Sequence, residues 1–418
     1  MWRFNVIGEF NTLDDLNIEN KTVLLRVDFN MPLDKNSFEI LDTTRIKLVL
    51  PTIKEIINKN TKIVILAHQG RKGSWDFISL DKHAKVLKKL LKKEVKFVDD
   101  VYDYKAKNAI ENLDYGEVLL LDNVRKIPYE IEKKTAIEHS KTEFVQSLYP
   151  LADFFVNDAF AAAHRAQCSL IGFTNVLPSC AGRLMEKELK TLERIVKKPD
   201  KPCIFLFGGA KFSDTVVTIE RILMNKIADK VILTGLPALA FLKANGYNLG
   251  EKNESVLLKE GKPEQFKEIK KVYAKFKNKI YLPKDFAISK NDMRKEIFLN
   301  ELPSEYNLFD IGEKTIGDIK DILKIAKTVF LSGPCGVFEN EKFKKGTKEI
   351  FNFVAYSGSF SIAGGGHTIA AVEQLSLRDK ISHISTGGGS LEKFMMGEKL
   401  PVVEALKAAK NRKIIKYH

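Results

Sequence analysis

The sequence predicts an α/β protein made of two doubly wound (Rossmann-like) parallel-sheet domains joined by an interdomain helix. Short dense apolar runs, such as Lys62 to Ala67 (KIVILA) and Cys203 to Phe207 (CIFLF), stop at glycines or polar turns, as strands buried on both faces do. These runs alternate with longer amphipathic segments in both halves of the chain, the pattern of βα units. At 418 residues the chain is also too long for one ordinary core, so two domains are expected.

Composition narrows the function classes. Hydrophobic residues make up 44% of the chain, yet no apolar run approaches the roughly 18 residues of a membrane span. The first residues, MWRFNVIGEF, hold no signal-peptide apolar region. Cys168, Cys180, Cys203 and Cys335 lack metal-ligand spacing and read as reduced thiols of a cytoplasmic protein. The net charge of +14 comes from lysines scattered at helical spacing, with no basic tail or aromatic-interleaved patch. A solvated lysine surface is therefore expected, with no nucleic-acid or membrane partner. Arginine is scarce by comparison, and a lysine-rich chain keeps it where a planar, always-charged fork is required.

In the first half, Lys21 to Phe29 reads as a strand closed by an Asn30-Met31-Pro32 turn, with Arg26, Asp28 and Asn30 in alternating register and so aimed to one side. Arg45 falls in the first turn of the helix that follows, against the dipole, which suggests a functional reason. The strand Lys62 to Ala67 ends in His68-Gln69-Gly70-Arg71, where open α/β sheets bind ligands. A helix at Asp81 to Leu91, a strand at Val95 to Val98, a strand at Val118 to Leu121 ending near Arg125, and a strand at Phe154 to Val156 ending near His164-Arg165 repeat the pattern. Any one of these polar residues has a structural salt bridge as an equal alternative. Together they predict a basic pocket for a small polyanion at one sheet edge.

Pro178 to Lys198 is expected as an amphipathic helix between domains, with Leu184, Leu189, Leu192 and Ile195 inward. Further strands are expected at Cys203 to Phe207, Lys230 to Leu233, Ile280 to Pro283, Thr328 to Leu331 and His383 to Thr386, and Gly250 to Lys279 reads as insertion or surface helix. Glycines cluster at Gly208-Gly209, Gly333 to Gly336, Gly364 to Gly366 and Gly387 to Gly389, where backbone donors at helix starts cradle phosphate. Lys211, just after the first pair, fits an anion site or a plain surface turn. The spacings of a Walker A loop and of a dinucleotide fingerprint are both absent. Nucleotide binding leads, with the nucleotide itself unspecified.

The motifs RVDFNMP (26 to 32), HQGR (68 to 71), LDNVR (121 to 125), VNDAFAAAHR (156 to 165), AGRLMEKEL (181 to 189), GGAK (208 to 211), GPCGVFE (333 to 339), GGGHT (364 to 368) and SHISTGGG (382 to 389) stand in one order along the chain. By them the chain resembles phosphoglycerate kinases over nearly its full length, and the GGGHT form is similar to archaeal members. The resemblance implies reversible phosphoryl transfer between 1,3-bisphosphoglycerate and ADP, giving 3-phosphoglycerate and ATP, with Mg²⁺. It implies a phosphoglycerate-binding domain at 1–177 joined by the tail 402–418, and a nucleotide domain at 178–401 that includes the hinge helix 178–198. Asp28 and Asn30 would meet the glycerate, His68, Gln69, Gly70, Arg71, Arg125 and Arg165 the distal phosphate region, and Arg45 the acyl phosphate. Lys211 would bridge to the transferring phosphoryl group, Glu339 would hold the ribose, and Gly235, Gly365, Gly366, His367 and Thr368 would line the nucleotide.

Two departures stand out. Thr215 occupies the place of a second lysine, and His367 that of an aspartate associated with the metal nucleotide. Hard cations prefer oxygen to imidazole, so Mg²⁺ is expected on the nucleotide phosphates and water, or on Asp214. Another acid kinase or ligase, or a non-catalytic sensor of the same anions, is the competing function. Monomer and homodimer are both open.

Overall fold

Strands whose residues are buried on both faces split their side chains between two cores, and this splitting builds both halves of the protein. The computed structural model describes residues 8–412, which divide into two compact units: residues 8–190 with 399–412, and residues 191–398. The chain passes between them within the helix Arg183–Lys197 and again near residue 398.

The first unit has six strands: β1 (Thr22–Arg26), β2 (Lys62–Leu66), β3 (Lys96–Val98), β4 (Val118–Leu121), β5 (Phe154–Asn157) and β6 (Ser179–Ala181). They form one parallel sheet in the order β3-β4-β2-β1-β5-β6. Val23, Leu25, Ile63 and Ile65 pack with Ile46, Val49, Ile53 and Ile56 of the helix Thr44–Asn58. Their alternates, Leu24, Val64 and Leu66, pack on the other face with Ile110, Phe144 and Phe173. Helices therefore cover both faces, and every loop that follows a strand's carboxyl end comes out at one edge.

The second unit has β7 (Cys203–Phe207), β8 (Lys230–Leu233), β9 (Ile280–Tyr281), β10 (Asp285–Lys290), β11 (Met293–Phe298), β12 (Asp310–Ile311), β13 (Thr328–Ser332), β14 (Phe360–Gly364) and β15 (His383–Ser385). Its main sheet is parallel, in the order β15-β14-β13-β7-β8-β9. The doubly wound α/β class expected from the sequence is the one observed in each unit.

The structure departs from the sequence reading in two places. The helix expected from Pro178 begins at Arg183, because residues 179–181 pair with β5 as the edge strand β6. An antiparallel sheet, β11-β10-β12, was not foreseen. Its hairpin turns at Asn291 and Asp292, both at positive φ (51° and 57°), as a type I′ turn requires. The segment Gly250 to Lys279, read as insertion or surface helix, forms the helices Glu251–Glu260 and Pro263–Phe276, which bury Leu257, Ile269 and Val272.

After residue 398 the chain forms the helix Pro401–Lys410, which packs on β6 and on the turns near Cys168 and Gly172. Val402 donates its N–H to the Ala163 carbonyl at 3.2 Å, and Leu406 is fully buried. The expected tail ran to His418, and residues 413–418 lie outside the described ones. No helix among the described residues is long and apolar enough to cross a membrane.

Candidate active site

The carboxyl ends of β1, β2, β4 and β5 gather the polar residues expected in the first half. Strand β1 stops at Arg26, so Asp28 and Asn30 sit on the loop beyond it rather than in strand register. Arg26 is not aimed outward with them: it is fully buried, its Nε donates to Ser169 Oγ at 2.8 Å and its guanidinium also reaches the Val27 carbonyl. Asp28 pairs with Arg45 at 2.6 Å and accepts the Asn30 N–H at 2.9 Å. Burial works to raise the Asp28 carboxyl, but Arg45, with the Asn30 N–H and Arg26, outweighs it and holds the group below the ordinary carboxylate range.

The loop after β2 is fixed by hydrogen bonds. Gln69 is fully buried; its Oε1 accepts the Met31 N–H at 2.8 Å and its Nε2 donates to the Met31 carbonyl at 3.1 Å. Gly70 donates its N–H to Asn30 Oδ1 at 2.8 Å, and its carbonyl accepts from Arg125. Gly70 lies at φ +66°, and a Cβ there would come within 2.4 Å of the Asp76 backbone, so only glycine fits this neck. Arg71 follows, exposed, on the loop that carries Trp75, whose ring rests on Phe38 with centroids 6.4 Å apart.

Positive charge dominates this edge. Arg26, Arg45, Arg71, Arg125 and Arg165 act on one another, and the carboxylates that chiefly oppose them among the described residues are Asp28 and Glu130. Burial, then Arg165 and Arg26, lowers Arg125 to about 10. Burial, with Arg71 and Arg45 opposing Asp28, lowers Arg165 as well. Cations that depress one another in this way lack a counter-charge, and a multiply charged anion supplies one.

In the second unit the glycine turns interlock through their backbones. Gly208 N donates to the Ser332 carbonyl at 2.8 Å, Gly209 N to Pro334 at 2.7 Å, and Leu236 N to Gly209 at 2.9 Å. Gly235 is at φ +52°, and a Cβ there would lie 2.7 Å from the Gly209 oxygen. Thr368, expected to line the nucleotide, is buried instead; its hydroxyl accepts from Gly333 N and donates to the Gly364 carbonyl, both at 2.7 Å. Gly365 precedes the helix Gly366–Gln374, leaving Gly366 and His367 exposed in its first turn.

Beside these turns lies a cavity of about 300 Å³. Gly235, Leu236, Leu239, Val256, Leu308, Phe309 and Val337 give it apolar walls, and Glu339 and His367 also line it. Its apolar lining suits a flat base, with a few polar groups to orient the rest of a ligand. A second cavity of about 110 Å³ is lined by Lys211, Asp214, Thr215, Gly365, Gly388 and Glu392. Burial, then Asp214, raises the Glu392 carboxyl, and Lys211 opposes the shift. No group of three or more His, Cys, Asp or Glu among the described residues is placed to hold a metal. Asp214 and Glu392 remain as oxygen donors beside Lys211, which suits a Mg²⁺ ion carried mainly by phosphates and water.

Sequence reasoning missed Glu130, Ser169, Glu392 and the apolar walls at Val256, Leu308 and Phe309. Glu130 follows the LDNVR motif and carries no local signal, and Leu308 and Phe309 lie in a stretch with no strand pattern.

A model of the phosphoglycerate kinase family matches residues 13–398. A phosphoglycerate kinase of Methanobacterium bryantii is 45% identical over 96% of this chain and 98% of its own, and one of Methanococcus maripaludis is 46% identical over 95% and 98%. The crystal structure of the phosphoglycerate kinase of Pyrococcus horikoshii OT3 superposes with a TM-score of 0.88 at 40% identity, covering 96% of this chain and 99% of that one.

Proposed function

The chain belongs to the phosphoglycerate kinase family, and we propose how its own residues carry that family's transfer of a phosphoryl group between 1,3-bisphosphoglycerate and ADP. In the direction of ATP use, a carboxylate oxygen of 3-phosphoglycerate attacks the γ-phosphorus of ATP. A carboxyl O–P bond forms, the bond to the β-phosphate oxygen breaks, and ADP leaves with the electron pair. No proton has to move, so the site needs no general base. Charge spread over the equatorial oxygens makes positioning and positive charge the main catalytic resources.

His68, Arg71, Arg125 and Arg165 would hold the distal phosphate, Asp28 and Asn30 the glycerate, and Arg45, anchored on Asp28, the acyl phosphate. Gln69 and Gly70 act one step back, by fixing the loops that carry Asn30 and Arg125. The base would occupy the apolar cavity beside Gly235, with Glu339 at the ribose and Gly365, Gly366 and His367 near the phosphates. Thr368 shapes that turn through its two backbone hydrogen bonds. Lys211 would meet the transferring phosphoryl group, and Asp214 would assist Mg²⁺, which when bound neutralises phosphate charge. Transfer requires both ligands in contact, so closure about the helix Arg183–Lys197 is part of the proposal. Unchanged X-ray scattering dimensions with both ligands bound would count against it. Four buried free thiols suit a cytoplasmic setting.

The observation that carries this reading is the arginine set opposed by too few carboxylates. The test is ADP production from MgATP and 3-phosphoglycerate, with the acyl phosphate trapped by a dehydrogenase and NADH. Turnover should fall by at least about 100-fold in Lys211→Ala and in Arg45→Ala. Binding of both ligands without turnover would point to a sensor, and failure to bind 3-phosphoglycerate would point to another acid.

A further inference from the structure

We propose that Glu130, Ser169 and Arg26 are positioning residues that hold His68 as a neutral imidazole protonated at Nε2, so that His68 meets the substrate phosphate as a hydrogen-bond donor and not as a cation. The proposal rests on reading the basic pocket as the phosphoglycerate site, and its first test needs no substrate.

One chain of contacts links Glu130 through Ser169 and Arg26 to His68. Glu130 is buried, and its two carboxylate oxygens accept from Ser169, one from N–H at 2.8 Å and one from the hydroxyl at 2.6 Å. With its single proton directed to Glu130, Ser169 Oγ has only lone pairs left for Arg26, and Arg26 Nε donates to it at 2.8 Å. That bond orients a fully buried guanidinium whose terminal nitrogen lies 3.3 Å from His68 Nδ1.

A guanidinium has donors and no acceptor. Nδ1 must therefore present its lone pair, which leaves the ring proton on Nε2. Asp28 cannot serve as acceptor for a proton on Nδ1, since it stands 4.0 Å away, beyond hydrogen-bond length. Protonating the ring would set N–H against N–H and add a charge beside Arg26. Burial, with Arg26, Arg125 and Arg165 against Asp28, also holds the imidazole well below its ordinary value. His68 makes no other hydrogen bond among the described residues, so Nε2–H is left for a ligand.

Long-range ¹H–¹⁵N spectra of ¹⁵N-histidine protein, with His68 assigned by its loss in His68→Gln, should show one neutral Nε2–H form without ligand. In Ser169→Ala that form should give way to mixed tautomers. KM for 3-phosphoglycerate should rise about three- to tenfold, the range one hydrogen bond covers, while kcat and KM for ATP hold. Ser169→Thr, which keeps the hydroxyl, should restore both readouts. An Nδ1–H or imidazolium form in the parent protein overturns the proposal. So does a Ser169→Ala protein whose KM rises while the His68 spectrum stays unchanged. A clean Nε2–H form in a protein that fails to bind 3-phosphoglycerate upholds the tautomer and removes the substrate reading instead.

Discussion

Asp158→Asn tests how the first unit joins β5 to the helix Arg183–Lys197. Asp158 is fully buried; its carboxylate accepts from Thr52 Oγ1 at 2.6 Å and from the Met185 N–H at 2.8 Å, in the first turn of that helix. Burial outweighs these bonds and raises the carboxyl from 3.8 to about 6. A raised carboxyl binds its proton more tightly in the folded state than in the unfolded one. Relative to the ionised form, it therefore adds stability as pH falls through 6 toward 3.8. With those two values the added stability is close to zero at pH 7 and about 1.4 kcal/mol at pH 5, a change of about 1.3 kcal/mol. Asparagine does not titrate, so the parent-minus-variant difference should rise by that amount, and constant effects of the substitution cancel. Urea unfolding at pH 5, 6 and 7 in a Trp2→Phe background makes Trp75, in the same unit, the reporter. A difference that stays flat with pH, or that falls as pH is lowered, refutes the reasoning.

Gly235→Ala should weaken ATP binding at least about tenfold in calorimetry while 3-phosphoglycerate binding holds. The positive φ costs roughly 1–3 kcal/mol, before the contact of a methyl with the Gly209 carbonyl is counted; parent-like ATP affinity would show that the turn tolerates a side chain. His367→Ala should leave the Mg²⁺ titration within about twofold of the parent, because an imidazole is a poor ligand for a hard cation. A sharply changed Mg²⁺ requirement with nucleotide affinity spared would make His367 the metal's partner. Binding of 3-phosphoglycerate should change the Trp75 emission, since Arg71 and Trp75 share the loop closed at Gly70. The change should vanish in Arg71→Ala, and a silent titration in the parent protein would separate Arg71 from the ligand.

Much of the fold was legible because parallel strands are written as contiguous runs. The bounds of β4, β7 and β8 could be read directly from VLLL, CIFLF and KVIL, each ended by a polar or glycine break. Strand β11, by contrast, reads MRKEIF and is largely exposed, so no apolar period marks it; only its Asn-Asp turn offers a signal. Residues 179–181 look helical because they abut a long amphipathic segment. What makes them extended is their pairing with β5, a partner more than twenty residues earlier in the chain.

The two proposed ligand sites differ in legibility for a chemical reason. The first would recognise charge with side chains, and arginine in a lysine-rich chain is conspicuous, so Arg45, Arg71, Arg125 and Arg165 could be picked out one by one. What the sequence could not show is which polar residues face a ligand and which hold those that do. Arg26 and Gln69 carry the same motif signal as Asp28 and Arg71, yet their polar atoms are engaged by Ser169 and Met31. The second would recognise its ligand with backbone turns and apolar walls. Its glycines were visible, but Val256 and Leu308 reach the cavity from segments whose local pattern says only helix or loop. Thr368 shows the limit of motif reading. Its place in GGGHT suggests a ligand contact, but its hydroxyl serves the turn by bonding Gly333 to Gly364, leaving the backbone N–H groups of Gly366 and His367, both exposed residues, as the candidate donors at the helix start.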